Sequence, residues 1–266
     1  MIIDFHTHIF PDKLAAKTIP ALAKRAGIPA HTDGTVGGLL DSMDKAGVHM
    51  SVVLPVATKA DQFDSINQFA QYVNDTHCPR LLSFGGIHPD SEDYKAQLDQ
   101  IKEMGFVGIK LHPDYQGVMI DDVRYMNIIE YADALDLIIS VHAGTDIGMP
   151  EPVHCPPDRA RKVFDCIKPK KLVLAHYGGF GQWEQVYEYL AGENLYLDTA
   201  FIFDYIEEEM FLKIWEKHDK SKILFATDSP WSDVAKSIAA VRNLPIQKQD
   251  IDNILGNNAL KLLQLK

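Results

Sequence analysis

The chain opens on Ile2-Ile3-Asp4-Phe5-His6-Thr7-His8, an apolar strand that turns polar at its C-terminal end. Alternate residues of a strand share a face, so His6 and His8 aim two imidazoles at one point beyond the strand. Neutral imidazole is a common ligand for divalent metals. A bare His-x-His is a weak motif, and two solvated histidines flanking Thr7 would read the same. The rest of the chain decides between the two.

Seven further runs are short, apolar and β-branched: Ser51 to Val56, Leu81 to Gly86, Val107 to Leu111, Leu137 to Val141, Leu172 to Ala175, Leu195 to Leu197 and Ile223 to Ala226. Helical patterns separate most of them, among them Val36 to Ala46, Gln62 to Asn74, Val123 to Leu135 and Tyr205 to His218, and Asp250 to Leu263 closes the chain. Strands alternating with helices form parallel βαβ units, and runs too apolar to alternate suit strands covered on both faces. Eight such units in 266 residues predict an α/β fold, a closed (β/α)8 TIM barrel. An open doubly wound sheet is the alternative that periodicity does not separate. No linker, low-complexity tract or repeat marks a boundary, so residues 1–266 read as one domain. Ile9 to Gly34, with Pro11, Pro20, Gly27 and Pro29, is an insertion after the first strand; it reads as a lid, or as packing around a short helix at Leu14 to Arg25.

A net charge of −11 and a pI near 5.4 repel phosphate backbones, which argues against nucleic acid as a partner. Cys78, Cys155 and Cys166 have no CxxC spacing and fit reduced thiols in a cytoplasmic protein. With a strand starting at Ile2, no signal segment is expected, and no apolar run reaches membrane-spanning length. The expected partner is a small-molecule substrate, with a homo-oligomer compatible.

Chemistry in a (β/α)8 barrel sits at the C-terminal ends of the strands. Polar side chains collect there: His6 and His8 after the first strand, His88 after the third, Lys110 and His112 at the fourth, His142 at the fifth, His176 at the sixth and Asp228 at the eighth. His6, His8, His142, His176 and Asp228 exceed the three protein ligands that an open catalytic metal site needs.

This set resembles the site of the amidohydrolase superfamily. The phrases VHAGTD, LAHYGG, YLDTA and ILFATDSPW resemble its amidohydrolase-related branch, which contains aminocarboxymuconate-semialdehyde decarboxylase and related decarboxylases, hydratases and hydrolases. The resemblance covers nearly the whole chain. It implies that His6, His8, His142 and Asp228 hold one divalent metal, zinc with manganese as the alternative, and that His176 is the catalytic histidine with Asp228 as proton acceptor. The implied activity is hydrolysis of an amide, lactone or similar bond by a metal-activated water. The alternative is non-oxidative decarboxylation of a small unsaturated or aromatic carboxylic acid. A TatD-type nuclease resembles the chain less, since that family has Glu where this chain has Lys110. A non-catalytic metal-binding barrel would not need the full set.

Lys110, His112 and His88 are candidate substrate contacts. A carbamylated Lys110 bridging to a second metal on His142 and His176 is a minor alternative. His154 and Cys155 read as structural, and His31, His49, His77 and His218 as surface residues. Arg159 and Arg161 read as solvated helix charges or as an anion site.

Overall fold

The eight predicted runs become the eight staves of a closed parallel barrel in the computed structural model, which describes residues 1–265. In chain order the strands are Ile3–Thr7, Met50–Val53, Leu81–Ser83 continued by Gly85–Gly86, Gly108–Leu111, Ile138–Val141, Leu172–Leu174, Tyr196–Asp198 and Ile223–Leu224. The third breaks at Phe84; its first half pairs with the second strand and its second half with the fourth. Closure comes from three backbone bonds between the first strand and the eighth: Phe5 N–H donates to Phe225 O (2.9 Å), Asp228 N–H to His6 O (2.8 Å) and His8 N–H to Ser229 O (2.6 Å). The open-sheet alternative has no such bonds.

One irregularity aims the site. Ile3 pairs with Met50 and Asp4 with Ser51, yet Thr7 pairs with Val53, so the first strand carries one extra residue after Asp4. Ile3 and Phe5 belong to a small apolar cluster with Phe84, Ile138, Val173 and Leu224. Strict alternation would put Thr7 next on that side. The extra residue instead delivers His6 and His8 to the cavity, the re-aiming that β-bulges perform near active sites. On the fifth and eighth strands the alternation runs unbroken, Ile138-Ser140-His142 and Leu224-Ala226-Asp228, so the small cluster fills the barrel beneath the polar layer. A second, larger cluster joins the outer strand faces to the helices.

The insertion contains a helix, Asp12–Ala26, ended by Gly27 in the left-handed region at φ 69°. Its Ala15 and Ile19 are buried, and its Thr18, Leu22 and Ala26 line the cavity. The insertion is therefore a wall of the site. The final helical run departs from expectation: Lys248–Asp252 and Asn258–Leu262 flank a π-turn at Asn253–Asn257. There Ile254 O accepts from Phe225 N–H, and a Cβ on Gly256 would lie 2.5 Å from Met1 O. No helix among the described residues is long and apolar enough to cross a membrane.

His218, expected at the surface, is buried. Its Nδ1 accepts from Gly192 N–H at 3.2 Å and its Nε2 faces Leu195 O at 3.0 Å. Burial pushes its pKa down from the ordinary 6.5 to about 4. The unfolded chain therefore binds the proton between these values and the folded one does not, so stability falls as pH drops through that window. From pH 6.5 to 5 this group should remove about 1–2 kcal/mol. In His218→Gln, whose amide can serve both partners without titrating, the urea midpoint should fall less over that range than in the wild type. Equal slopes would exclude His218 as the group responsible.

Candidate active site

His6 and His8 meet at their Nε2 atoms, 3.1 Å apart. Each also approaches Asp228 Oδ1, His6 Nε2 at 3.3 Å and His8 Nε2 at 3.0 Å. The other ring nitrogen of each histidine is engaged, His6 Nδ1 with Asp198 Oδ2 at 3.0 Å and His8 Nδ1 with Leu54 O at 2.8 Å. A carboxylate and a carbonyl can only accept, so both Nδ1 atoms carry hydrogen and both Nε2 atoms present lone pairs. Two nitrogen lone pairs and a carboxylate oxygen thus converge without a proton between them. Such a cluster is satisfied by a cation, and its donors suit a divalent metal of the zinc or manganese type.

The electrostatics agree. Burial, reinforced by Lys110, lowers His6 well below the ordinary imidazole value and keeps it neutral. Burial works against ionisation at Asp228, yet its carboxyl is held down at about 2, so it is the charged member of the cluster. Lys110 lies beneath the cluster with Nζ 3.3 Å from His6 Nε2. Burial lowers its ammonium to about 8, partly opposed by Asp198 and Asp228, so it remains a cation at neutral pH.

His142 stands beside this group. Its Nδ1 is 3.0 Å from His176 Nε2, and His176 Nδ1 is 2.9 Å from Ala200 O. The carbonyl fixes the proton on His176 Nδ1, so the His142 Nδ1–H donates to His176 Nε2. His142 Nε2 is then a buried lone pair with no hydrogen-bond partner among the described residues, 3.8 Å from an equally unpartnered Asp114 Oδ2. The two-metal arrangement needs His142 and His176 to face a common ion, whereas here each faces the other. His112 stacks on His142 with ring centroids 4.1 Å apart. His88 accepts from Asp90 N–H through Nδ1 and does not line the cavity.

Backbone strain marks the same positions. His176 and Asp228 adopt φ of 57° and 62°, a region costly for non-glycine residues and concentrated at functional sites. Neighbours impose it: His176 N–H donates to Asp198 Oδ1 at 3.0 Å, and Trp183 Nε1–H donates to His176 O at 3.2 Å. Gly144 lets two loops cross, since a Cβ there would lie 2.1 Å from Phe180 N. That crossing sets the Phe180 ring 6.2 Å from His176.

Above the cluster opens a cavity of about 250 Å³. Phe10, Tyr115, Phe180, Phe201 and Trp231 give it aromatic walls, and its lining residues include no Lys or Arg. Its size suits one ring with its substituents.

The sequence did not single out three carboxylates. Asp198 ends the seventh strand within YLDTA, and its signal was the rule that located His142 and Asp228. Asp114 and Asp146 sit on loops, where periodicity carries no information. His154 is structural as expected, donating to Asp114 Oδ1 through Nδ1 at 3.0 Å. Arg159 and Arg161 pair with Asp121 and Glu193, so neither is free for an anionic substrate.

The family model for amidohydrolases matches residues 3–265. A comparison with curated proteins gave no match. Among solved structures, a TIM-barrel protein from Bordetella bronchiseptica superposes with a TM-score of 0.81 at 17% identity, covering 99% of this chain and 98% of that one. The 5-carboxyvanillate decarboxylase of Sphingomonas paucimobilis gives 0.72 at 15% identity over 100% and 99% of the two chains. The dihydroxybenzoic acid decarboxylase of Polaromonas, solved with manganese and the inhibitor 2-nitroresorcinol, gives 0.71 at 17% identity over 99% and 96%. At these identities the likeness shows the fold.

The Asp198 contact yields a test. In Asp198→Asn the amide can keep its oxygen toward the His176 and Ala200 N–H groups and turn its NH2 to His6 Nδ1. His6 would then carry its proton on Nε2 and lose its ligand lone pair. Divalent-metal affinity, measured by competition with a chromophoric chelator, should fall about 10–100-fold while circular dichroism is unchanged. Undiminished affinity would remove Asp198 from the site.

Proposed function

The chain belongs to the amidohydrolase family, and we propose that within it the protein is a metal-dependent carboxy-lyase that decarboxylates a small aromatic or unsaturated carboxylic acid without oxidation. The observation that carries this reading is the cavity: flat aromatic walls over a cation-demanding cluster, with room for a single ring. The decarboxylases named among the structural neighbours support it. Hydrolysis is the first reading of the sequence, because metal-bound water is the more general apparatus; the aromatic cavity and the decarboxylases among the neighbours favour the lyase.

His6, His8 and Asp228 would hold the metal, zinc or manganese, and His142, with its unpartnered Nε2, would be the fourth donor. A bound divalent ion would supply positive charge to position an anionic substrate. Lys110 adds a second positive charge under the same point. The aromatic walls orient the ring and exclude water. Reaction requires a proton at the carbon bearing the carboxylate; the carbon–carbon bond then breaks, its electron pair returns to the ring, and carbon dioxide leaves. His176, once it carries a proton from solvent on Nε2 as an imidazolium, would give that proton to the carbon and return to the neutral tautomer that accepts from His142 Nδ1–H.

Metal-loaded protein given a panel of monocyclic aromatic carboxylic acids in oxygen-18 water should release one carbon dioxide per product, with no solvent oxygen retained. Asp228→Asn should lower turnover at least about a hundredfold, by removing a charged ligand. Solvent oxygen in the product without carbon dioxide would replace the lyase reading with hydrolysis.

A further inference from the structure

The insertion gives the cavity a corner that holds neither a metal donor nor a charge. Thr18, Leu22 and Ala26 recur at a spacing of four along the helix Asp12–Ala26, so they share one face, and Ile28 follows the Gly27 that ends it. The loop after the fifth strand closes on that helix end. Arg25 Nη1 donates to Met149 Sδ at 3.5 Å, and a Cβ on Gly148 would lie 3.7 Å from Ala26 Cβ. Asp146 in this loop is engaged elsewhere: its Oδ1 accepts from Gly148 N–H at 2.8 Å, and its Oδ2 lies 3.5 Å from His112 Nε2. Ile147 is the apolar side chain that the loop adds to the corner, lining the cavity while 39% exposed.

Size points the same way. A cavity of about 150 Å³ lined by apolar side chains holds a bare benzene ring. At about 250 Å³ this one has room for more than a ring and its carboxylate. Ala26 and Gly148 bring little bulk to the junction of helix and loop, so the corner is not filled by the protein's own side chains there.

We propose that Leu22, Ala26, Ile28 and Ile147 form an apolar subsite for a short alkyl substituent on the substrate. The ring and the carboxylate come from the decarboxylase reading, on which this rests; the alkyl group is what the corner adds. Each methylene moved from water onto these side chains should tighten binding about fourfold. A hydroxyl in the same place would leave water for four side chains that offer it no hydrogen bond.

Calorimetry on the metal-loaded protein tests this with benzoate and its 3- and 4-substituted methyl, ethyl and hydroxymethyl derivatives. Ethyl and hydroxymethyl are close in size, so their comparison isolates polarity. The better ethyl isomer should bind at least about fivefold more tightly than benzoate, and at least about fivefold more tightly than its hydroxymethyl counterpart. In Ala26→Leu, which fills the corner, the ethyl-to-benzoate ratio should collapse to within about twofold. Leu22→Asn, which makes the corner polar, should lower the ethyl-to-hydroxymethyl ratio at least about twofold, and it decides the matter if Ala26→Leu binds no probe. Ratios near one in the wild type, or ratios that survive these substitutions, overturn the subsite. If the ratios behave as expected while the acids of the oxygen-18 experiment release no carbon dioxide, the subsite stands and the decarboxylase reading falls. Carbon dioxide release without alkyl selectivity leaves that reading in place and removes the subsite.

Discussion

The meeting of His6, His8 and Asp228 depends on the pairing of the first strand with the eighth. His6 gives its carbonyl to Asp228 N–H and His8 N–H donates to Ser229 O, so the two ends of the chain arrive at one point through backbone hydrogen bonding. Asp4 reinforces the seam: its carboxyl accepts from Thr227 Oγ1–H at 2.5 Å and from Thr227 N–H at 2.9 Å. Burial raises that carboxyl to about 7 even against these bonds, the expected result for an acid enclosed in a barrel wall. The donor atoms are thus placed by the fold's own closure, and the extra residue in the first strand turns them inward.

Buried ligands need direction as well as proximity. Asp198 supplies it by holding His6 with one oxygen and the backbone at His176 and Ala200 with the other. A single side chain thereby ties the metal cluster to the histidine pair beside it, and explains how His176 is kept in an unfavourable backbone region. Burial raises the Asp198 carboxyl, while the nearby His176 and Lys110 oppose that rise.

Much of this was legible in the sequence, for identifiable reasons. The eight strands showed because both of their faces are covered, which makes them near-continuous apolar runs. His6, His8, His176 and Asp228 showed because they end such runs. The insertion's helix showed in its spacing, but not the side it presents to the cavity. Asp146 and Asp114 were hidden because their partners, Gly148, His112 and His154, come together only through loop conformation. His218 misled because a histidine at a helix end looks solvated, whereas its two backbone partners lie 26 and 23 residues away in the chain. The π-turn at Asn253–Asn257 was invisible for a similar reason: the residue that fits against Gly256 is Met1, at the other end of the chain.

The helix Asp12–Ala26 sits between two fixed points, His8 before it and the Thr35-capped helix after it, and pairs with no strand. It nevertheless supplies Thr18, Leu22 and Ala26 to the cavity wall. The cavity wall is therefore shared between this excursion and the barrel's own loops, which supply Tyr115, Phe180, Phe201 and Trp231. Because the excursion contributes none of the donor atoms of the His6–His8–Asp228 cluster, a change of side chain at Thr18, Leu22 or Ala26 alters the shape of the cavity without touching a donor.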